Sequence, residues 1–248
     1  MAIGQQQVIS IGDAECVFRL NPLAACVKSA IAGSVLMAFV SPVAAELPVP
    51  SAVWASMGGA THEVIGNTMN IKQETDKVIL NWDKFNVSAD STVNFKQPSV
   101  SSIALNKIAQ QDPSRILGTV NANGQVYLVN NNGFVFGKDS AVNVRGLVTS
   151  TLDISEQTLQ EGIGKVANID QRAAFEGSGD FYRKNADGSF MLDAEGHKIP
   201  IKIAIEQGAK IKSGEGGRIL VIAPTIENSG DVESSGGQVI MAAATDKV

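Results

Sequence analysis

Cysteine is almost missing from this chain of 248 residues: Cys16 and Cys26 are the only two, and both fall in an N-terminal stretch that reads as a leader. A chain that sheds that stretch keeps no thiol, which removes disulfide staples and thiolate metal ligands from its resources. That absence suits a route across a second membrane in the unfolded state, because a disulfide closed between two membranes would trap the chain. Aromatics are scarce at 5%, while Gly is plentiful at 24, which fits thin stacked β-layers better than a bulky globular core. Histidine occurs only as His62 and His197, and neither has the spacing of a metal site. No Lys/Arg block exists and the formal charge is -5. This argues against nucleic acid as a partner and against docking to anionic membrane by charge alone.

Long apolar runs are missing too. The strongest one, residues 30–40, is broken by Gly33 and followed by Pro42, and it falls well short of the ~20 residues a spanning helix needs. With Arg19 and Lys28 before it and Val43-Ala44-Ala45 after it, the stretch reads as an export signal, with a membrane anchor as the alternative. Residues 1–45 are then an extended leader cleaved between Ala45 and Glu46. Pro48, Pro50, Gly58 and Gly59 mark residues 46–64 as a flexible mature start.

What the chain does have is turn chemistry at short intervals. Through residues 115–137, the short apolar runs Val126/Leu128 and Phe134/Phe136 are separated by Asn and Gly. Runs that brief are strands of four or five residues, with Asn-Gly supplying the left-handed backbone between them. Thr92-Val93-Asn94, Thr119-Val120-Asn121 and Ala141-Val142-Asn143 repeat one step at spacings of 27 and 22. Residues 216–223 return as residues 236–243 with a period of 20. One coil of a β-solenoid uses about that many residues; two similar hairpins in a sandwich are the alternative. Two stretches break the pattern. Ser155 caps a short helical segment before Gly162, and residues 180–200 read as an inserted hairpin pair turning at Asp187-Gly188 and Glu195-Gly196. Met241 to Val248 carries no polar capping element, so the coil is expected to continue beyond this fragment.

Taken together, several segments resemble the N-terminal secretion domain of filamentous haemagglutinin-type exoproteins, the two-partner secretion family. They are Asn81-Trp82-Asp83-Lys84-Phe85-Asn86-Val87, residues 92–98, Ser102 to Asn106, Asp112 to Gly118, the Asn-Gly stretch, and Gly146 to Asp153. The resemblance covers roughly residues 65 to 248. It implies an all-β, right-handed parallel β-helix with short extra-helical hairpins and an N-terminal cap. It also implies export through the Sec translocon, and recognition in the periplasm by an outer-membrane β-barrel transporter with periplasmic POTRA modules. The mature chain is then secreted or held at the surface of a Gram-negative bacterium, where downstream regions could meet host surface receptors or glycans. The family's Asn-Pro-Asn-Gly turn, followed by an apolar residue, matches Asn130, Asn131, Asn132, Gly133 and Phe134. Asn131 stands where the family usually has Pro, losing the preset φ of the turn but keeping its amides. Asn81, Trp82, Phe85 and Asn86 form a secondary motif. No cofactor is implied, and the same secretion domain serves adhesins, contact-dependent toxins and haem-acquisition exoproteins.

Parallel β-helices also host carbohydrate-active enzymes, which would need paired carboxylates at a defined separation. Asp83 with Asp90, or Asp139 with Asp153, could meet on adjacent coils, yet none sits in a motif that requires it. Gly162 to Lys165 and Gly214 to Gly217 are too short and wrongly placed for a phosphate loop. The expectation is a module that acts by being recognised, without catalysis.

Overall fold

The computed structural model describes residues 8–11, 14–17, 45–163 and 173–246. Most of the expected leader lies outside the described residues. Within it, β1 (Val8–Ile11) and β2 (Ala14–Val17) pair as an antiparallel hairpin that forms part of a separate unit.

The second unit is a parallel β-solenoid. Its chain first lays down β3 (Val49–Met57) and β4 (Ala60–Ile65), then winds through successive coils. These are β5 (Thr68–Gln73) and β6 (Lys77–Lys84); β7 (Thr92–Lys96), β8 (Ile103–Ile108) and β9 (Ser114–Ile116); and β10 (Thr119–Ala122), β11 (Gln125–Val129) and β12 (Phe134–Phe136). The next coil holds β13 (Ala141–Val144), β14 (Gly146–Ser150), the helix α1 (Glu156–Glu161) and β15 (Lys202–Ile205). Then come β16 (Lys210–Ser213), β17 (Arg218–Ala223) and β18 (Thr225–Asn228), and finally β19 (Asp231–Ser234) and β20 (Gln238–Ala243). The first face stacks β5, β7, β10, β13, β16 and β19; the second stacks β6, β8, β11, β14, β17 and β20; the third stacks β9, β12, β15 and β18.

Side-chain periodicity sorts the strands by face. First-face strands alternate: in β7, Val93 and Phe95 are buried while Thr92 and Asn94 are only partly so. Second-face strands do not alternate, as in Val78-Ile79-Leu80 or Val126-Tyr127-Leu128, because both sides of that sheet are covered. One side faces the coil interior, where Val78, Leu80, Val126, Leu128, Leu147 and Ile219 stack. The other side carries Ile79, Leu105, Tyr127 and Val148, and is covered by Leu152, Ile154, Leu159 and Phe175. Leu159 reaches this face from α1, whose Ser155 cap accepts from the Thr158 N–H as its spacing predicts.

The period-20 repeat is a structural register: β17 and β20 pair in parallel with Arg218 opposite Gln238 and Ala223 opposite Ala243. Its glycine pairs have a steric cause. Gly216 and Gly236 turn the corner with φ of 66° and 61°, and a Cβ on Gly237 would collide with the Gly217 carbonyl of the coil beneath.

Residues 46–64, expected to be flexible, are instead built into the fold. β3 pairs antiparallel with β6 and β4 with β5, so together they cover the first coil. Trp54 packs edge-on against Trp82, at 5.6 Å between ring centroids. The prolines signal a loop in sequence, but a strand at the sheet edge whose pairing shifts at bulges tolerates them. The inserted hairpin pair of residues 180–200 has its two predicted turns, with Gly188 and Gly196 at φ of 83° and 84°.

Candidate functional site

The Asn130–Gly133 turn sits where β11 leaves the second face for the third. The Gly133 N–H donates to the Asn130 carbonyl at 3.0 Å, closing a four-residue turn. Inside it, Asn130 Oδ1 accepts from the Asn132 N–H at 2.9 Å, the local side-chain bond that makes Asn favourable there. Asn130 is 0% exposed, and its Nδ2 donates to the Asp112 carbonyl (3.1 Å) and to Ser114 Oγ (3.0 Å) on the coil below. Asn132 Nδ2 donates to the Gln110 carbonyl at 3.0 Å. Gly133 has φ of 103°, and a Cβ on it would meet the Lys202 carbonyl of the coil above. Phe134 and Phe136 follow, both fully buried and stacked at 6.2 Å. Asn131 alone of the five projects into solvent.

The second motif lies two coils below the turn, with the coil of β8 between them. Trp82 and Phe85 are fully buried, with ring centroids 5.2 Å apart. Trp82 Nε1 donates to Asn106 Oδ1 (2.9 Å), whose own amide is satisfied by the Ala104 and Tyr127 carbonyls. Asn81 Nδ2 ties β6 to the cap through the Val53 carbonyl (3.0 Å) and Ser56 Oγ (2.9 Å). Asn86 Nδ2 donates to Glu46 Oε1 (2.9 Å), and the Glu46 N–H donates to Ser88 Oγ at the same distance. Glu46, the expected first residue after leader removal, is thus docked on the secondary motif, while Ala45 is only partly exposed.

One loop that sequence reasoning did not single out joins the two motifs. Gln110 Oε1 accepts from the Phe85 N–H (2.7 Å), and its Nε2 donates to Asn86 Oδ1 (3.3 Å) and to the Asp112 carbonyl (2.9 Å). Its own carbonyl receives Asn132. The result is a continuous hydrogen-bonded path from Glu46 through Asn86, Gln110 and Asp112 to Asn130. No spacing rule points to Gln110; its importance arises from stacking of residues far apart in sequence.

The residues weighed for chemistry are held in other ways. Asp153 pairs with Lys107 at 2.8 Å, Asp90 accepts from Asn67 and Ser88, and Asp83 and Asp139 are exposed. His62 packs against Trp54 at 4.4 Å, and His197 contacts Asp193 in the outer hairpin turn. Among the described residues no group of three His, Cys, Asp or Glu side chains could hold a metal, and no helix is long and apolar enough to cross a membrane. On the outer side of the second face a groove of about 720 Å³ runs past Tyr127, Arg145, Arg218 and Gln238. Burial pushes the Tyr127 hydroxyl pKa up, partly offset by the nearby Arg218 charge.

Residues 55–247 match the TPS secretion domain family. This chain belongs to that family, the secretion domains of two-partner exoproteins. It is 32% identical over 148 residues to a heme/hemopexin-binding protein of Haemophilus influenzae, covering 60% of this chain and 16% of that protein. A second heme/hemopexin-binding protein from Haemophilus influenzae is 37% identical over 86 residues, covering 35% of this chain and 9% of its own length. The chain therefore spans less than a fifth of the curated relatives it matches. Among solved structures, the HMW1 secretion domain from Haemophilus influenzae is 26% identical with a TM-score of 0.49, covering 71% of this chain and 44% of that one. The filamentous hemagglutinin secretion domain is 14% identical with a TM-score of 0.35, covering 80% and 100% respectively.

Proposed function

We propose that this chain is the part of a large exoprotein that a cognate outer-membrane β-barrel reads through its periplasmic POTRA modules. Residues 1–45 serve as the Sec signal, cut between Ala45 and Glu46. The mature protein passes through the periplasm unfolded and folds outside the cell, where it is released or stays at the surface. The observation that carries this reading is the burial of Asn130 within a path that spans several coils. A side chain with no exposed surface can be read by a partner only before the coils close. Forward bias then comes from folding, since each coil that stacks buries apolar ladder residues at about 25 cal/mol per Å², partly offset by chain ordering. The chain performs no catalysis in this scheme.

The test is expression with and without the neighbouring barrel, with the chain quantified in medium and periplasm. Release that requires the barrel supports the reading; equal amounts outside in both strains overturn it. A downstream passenger of adhesin type is the first reading of what is exported. The names of both Haemophilus influenzae relatives favour haem acquisition as a second. Haemin or hemopexin retention by the full-length exoprotein separates the two.

A further inference from the structure

The insertion between β14 and β15 grips the asparagine turn through one side chain. Arg183 lies in the inner hairpin of that insertion, its N–H bonded to the Ile199 carbonyl. Its side chain is only 7% exposed, and Nη2 donates to the Gln111 carbonyl and to Asp112 Oδ1, both at 2.7 Å. Nε is buried without a partner. Asp112's own side chain is 81% exposed, so the ion pair by itself is weak. What holds Arg183 is the desolvated, charge-assisted bond to the loop backbone. The loop it grips is the one whose Asp112 carbonyl receives Asn130 and whose Gln110 carbonyl receives Asn132. The same insertion lies against the turn's exposed member: Asn131, Gly177, Asp180 and Ile201 line one small enclosure. Lys202, directly after the insertion, closes over Gly133.

We infer that the insertion is a folding-dependent shutter, latched by Arg183, which clamps the Gln110–Asp112 loop beneath the Asn130–Gly133 turn and covers Gly133 once residues 183–202 have arrived, while the side chains of Asn131 and Asp112 stay exposed. Ser150, whose carbonyl accepts from the Asn130 N–H, and Lys202, over Gly133, both lie downstream of the turn in sequence. A chain emerging N-terminus first therefore presents the turn while its lower coils are already formed, and withdraws it later. The functional half of this inference rests on the transporter reading: docking of the insertion outside the cell would keep the emerged turn from sliding back to the periplasmic module and so bias the chain forward.

Two measurements separate the parts. In the purified chain, Arg183→Ala should lower hydrogen-exchange protection of the Asn132 and Gly133 amides by about tenfold or more, the scale of one lost charge-assisted bond. Protection in β17 should stay unchanged. Arg183→Gln, neutral and of similar length, should give a smaller loss at the same amides and serves if the alanine variant fails to fold. Unchanged protection at Asn132 and Gly133 in either folded variant overturns the latch. In cells carrying the barrel, pulse-chase labelling should show the Arg183→Ala chain held at the barrel several-fold longer than wild type. Equal release times overturn the shutter while leaving the transporter reading standing; wild-type export without the barrel overturns that reading and leaves the exchange result untouched.

Discussion

Five consecutive residues of the turn have different jobs, and burial separates them. Asn130 has a carboxamide whose donor and acceptor are both used inside the protein, so Asn130→Ala leaves the Asp112 carbonyl, Ser114 Oγ and the Asn132 N–H each short of a partner. The expected loss is about 2–3 kcal/mol, since buried polar groups left unmade carry most of their desolvation penalty. Asn131 is the opposite case: it is exposed, at the position of the turn where proline is favoured. Asn131→Pro should raise stability by about 0.4–1 kcal/mol by restricting the unfolded chain. Urea unfolding of both variants checks the pair. A neutral Asn130→Ala together with a destabilising Asn131→Pro would mean that the turn is not the tie between coils described above.

At the scale of elements, two kinds of asparagine show what stacking can use. Asn70, Asn94, Asn121 and Asn143 form a ladder on the outer side of the first face, each amide donating to the next oxygen at 3.0–3.2 Å. Water can replace any rung there, so Asn121→Ala should cost about 1 kcal/mol. Asn106 is fully buried and accepts from Trp82 Nε1. Asn106→Leu strands that donor together with the Ala104 and Tyr127 carbonyls, and should cost at least about 2 kcal/mol more than the ladder variant in the same urea titration. The ladder was legible in sequence, because three of its rungs stand in a repeated Thr/Ala-Val-Asn step; the fourth, Asn70, was hidden by Met69 in place of Val. The helix cap at Ser155 and the two insertion turns were legible for the same reason, being local chemistry. The cap strands β3 and β4 were not, because Pro48, Pro50 and Gly58-Gly59 describe a loop unless the partner strand is known. Gln110 and Arg183 were invisible as well. Each acts on backbone carbonyls brought near only by coiling, and no periodicity marks a side chain whose partners are fixed by register alone.

At the largest scale, the solenoid unit behaves as a one-dimensional stack in which each coil is stabilised chiefly by its neighbours, and the consequence is felt at its last described coil. β18, β19 and β20 each have a strand partner on one side only. Two of these edges carry charge: Glu227 on β18 pairs with Lys202, and Glu233 on β19 pairs with Lys212, with Asp231 beside it. Such side chains discourage another strand from adding. β20, Gln238–Ala243, has none, and Val239, Ile240 and Met241 are 41%, 41% and 37% exposed. In a polypeptide cut at Val248, self-association should therefore run through β20. Val239 is in register with the interior Ile219, so Val239→Lys places an inward charge at the open end, at a cost of about 1 kcal/mol in lost burial. Sedimentation velocity across a concentration series should show the wild-type chain growing in apparent size and Val239→Lys staying monomeric. Val232→Lys on the already charged β19 edge should change little. If the wild type is monomeric throughout, or both lysine variants act alike, the acidic pair of edges is not what directs association, and the apolar end of β20 is protected by some other contact of the folded chain.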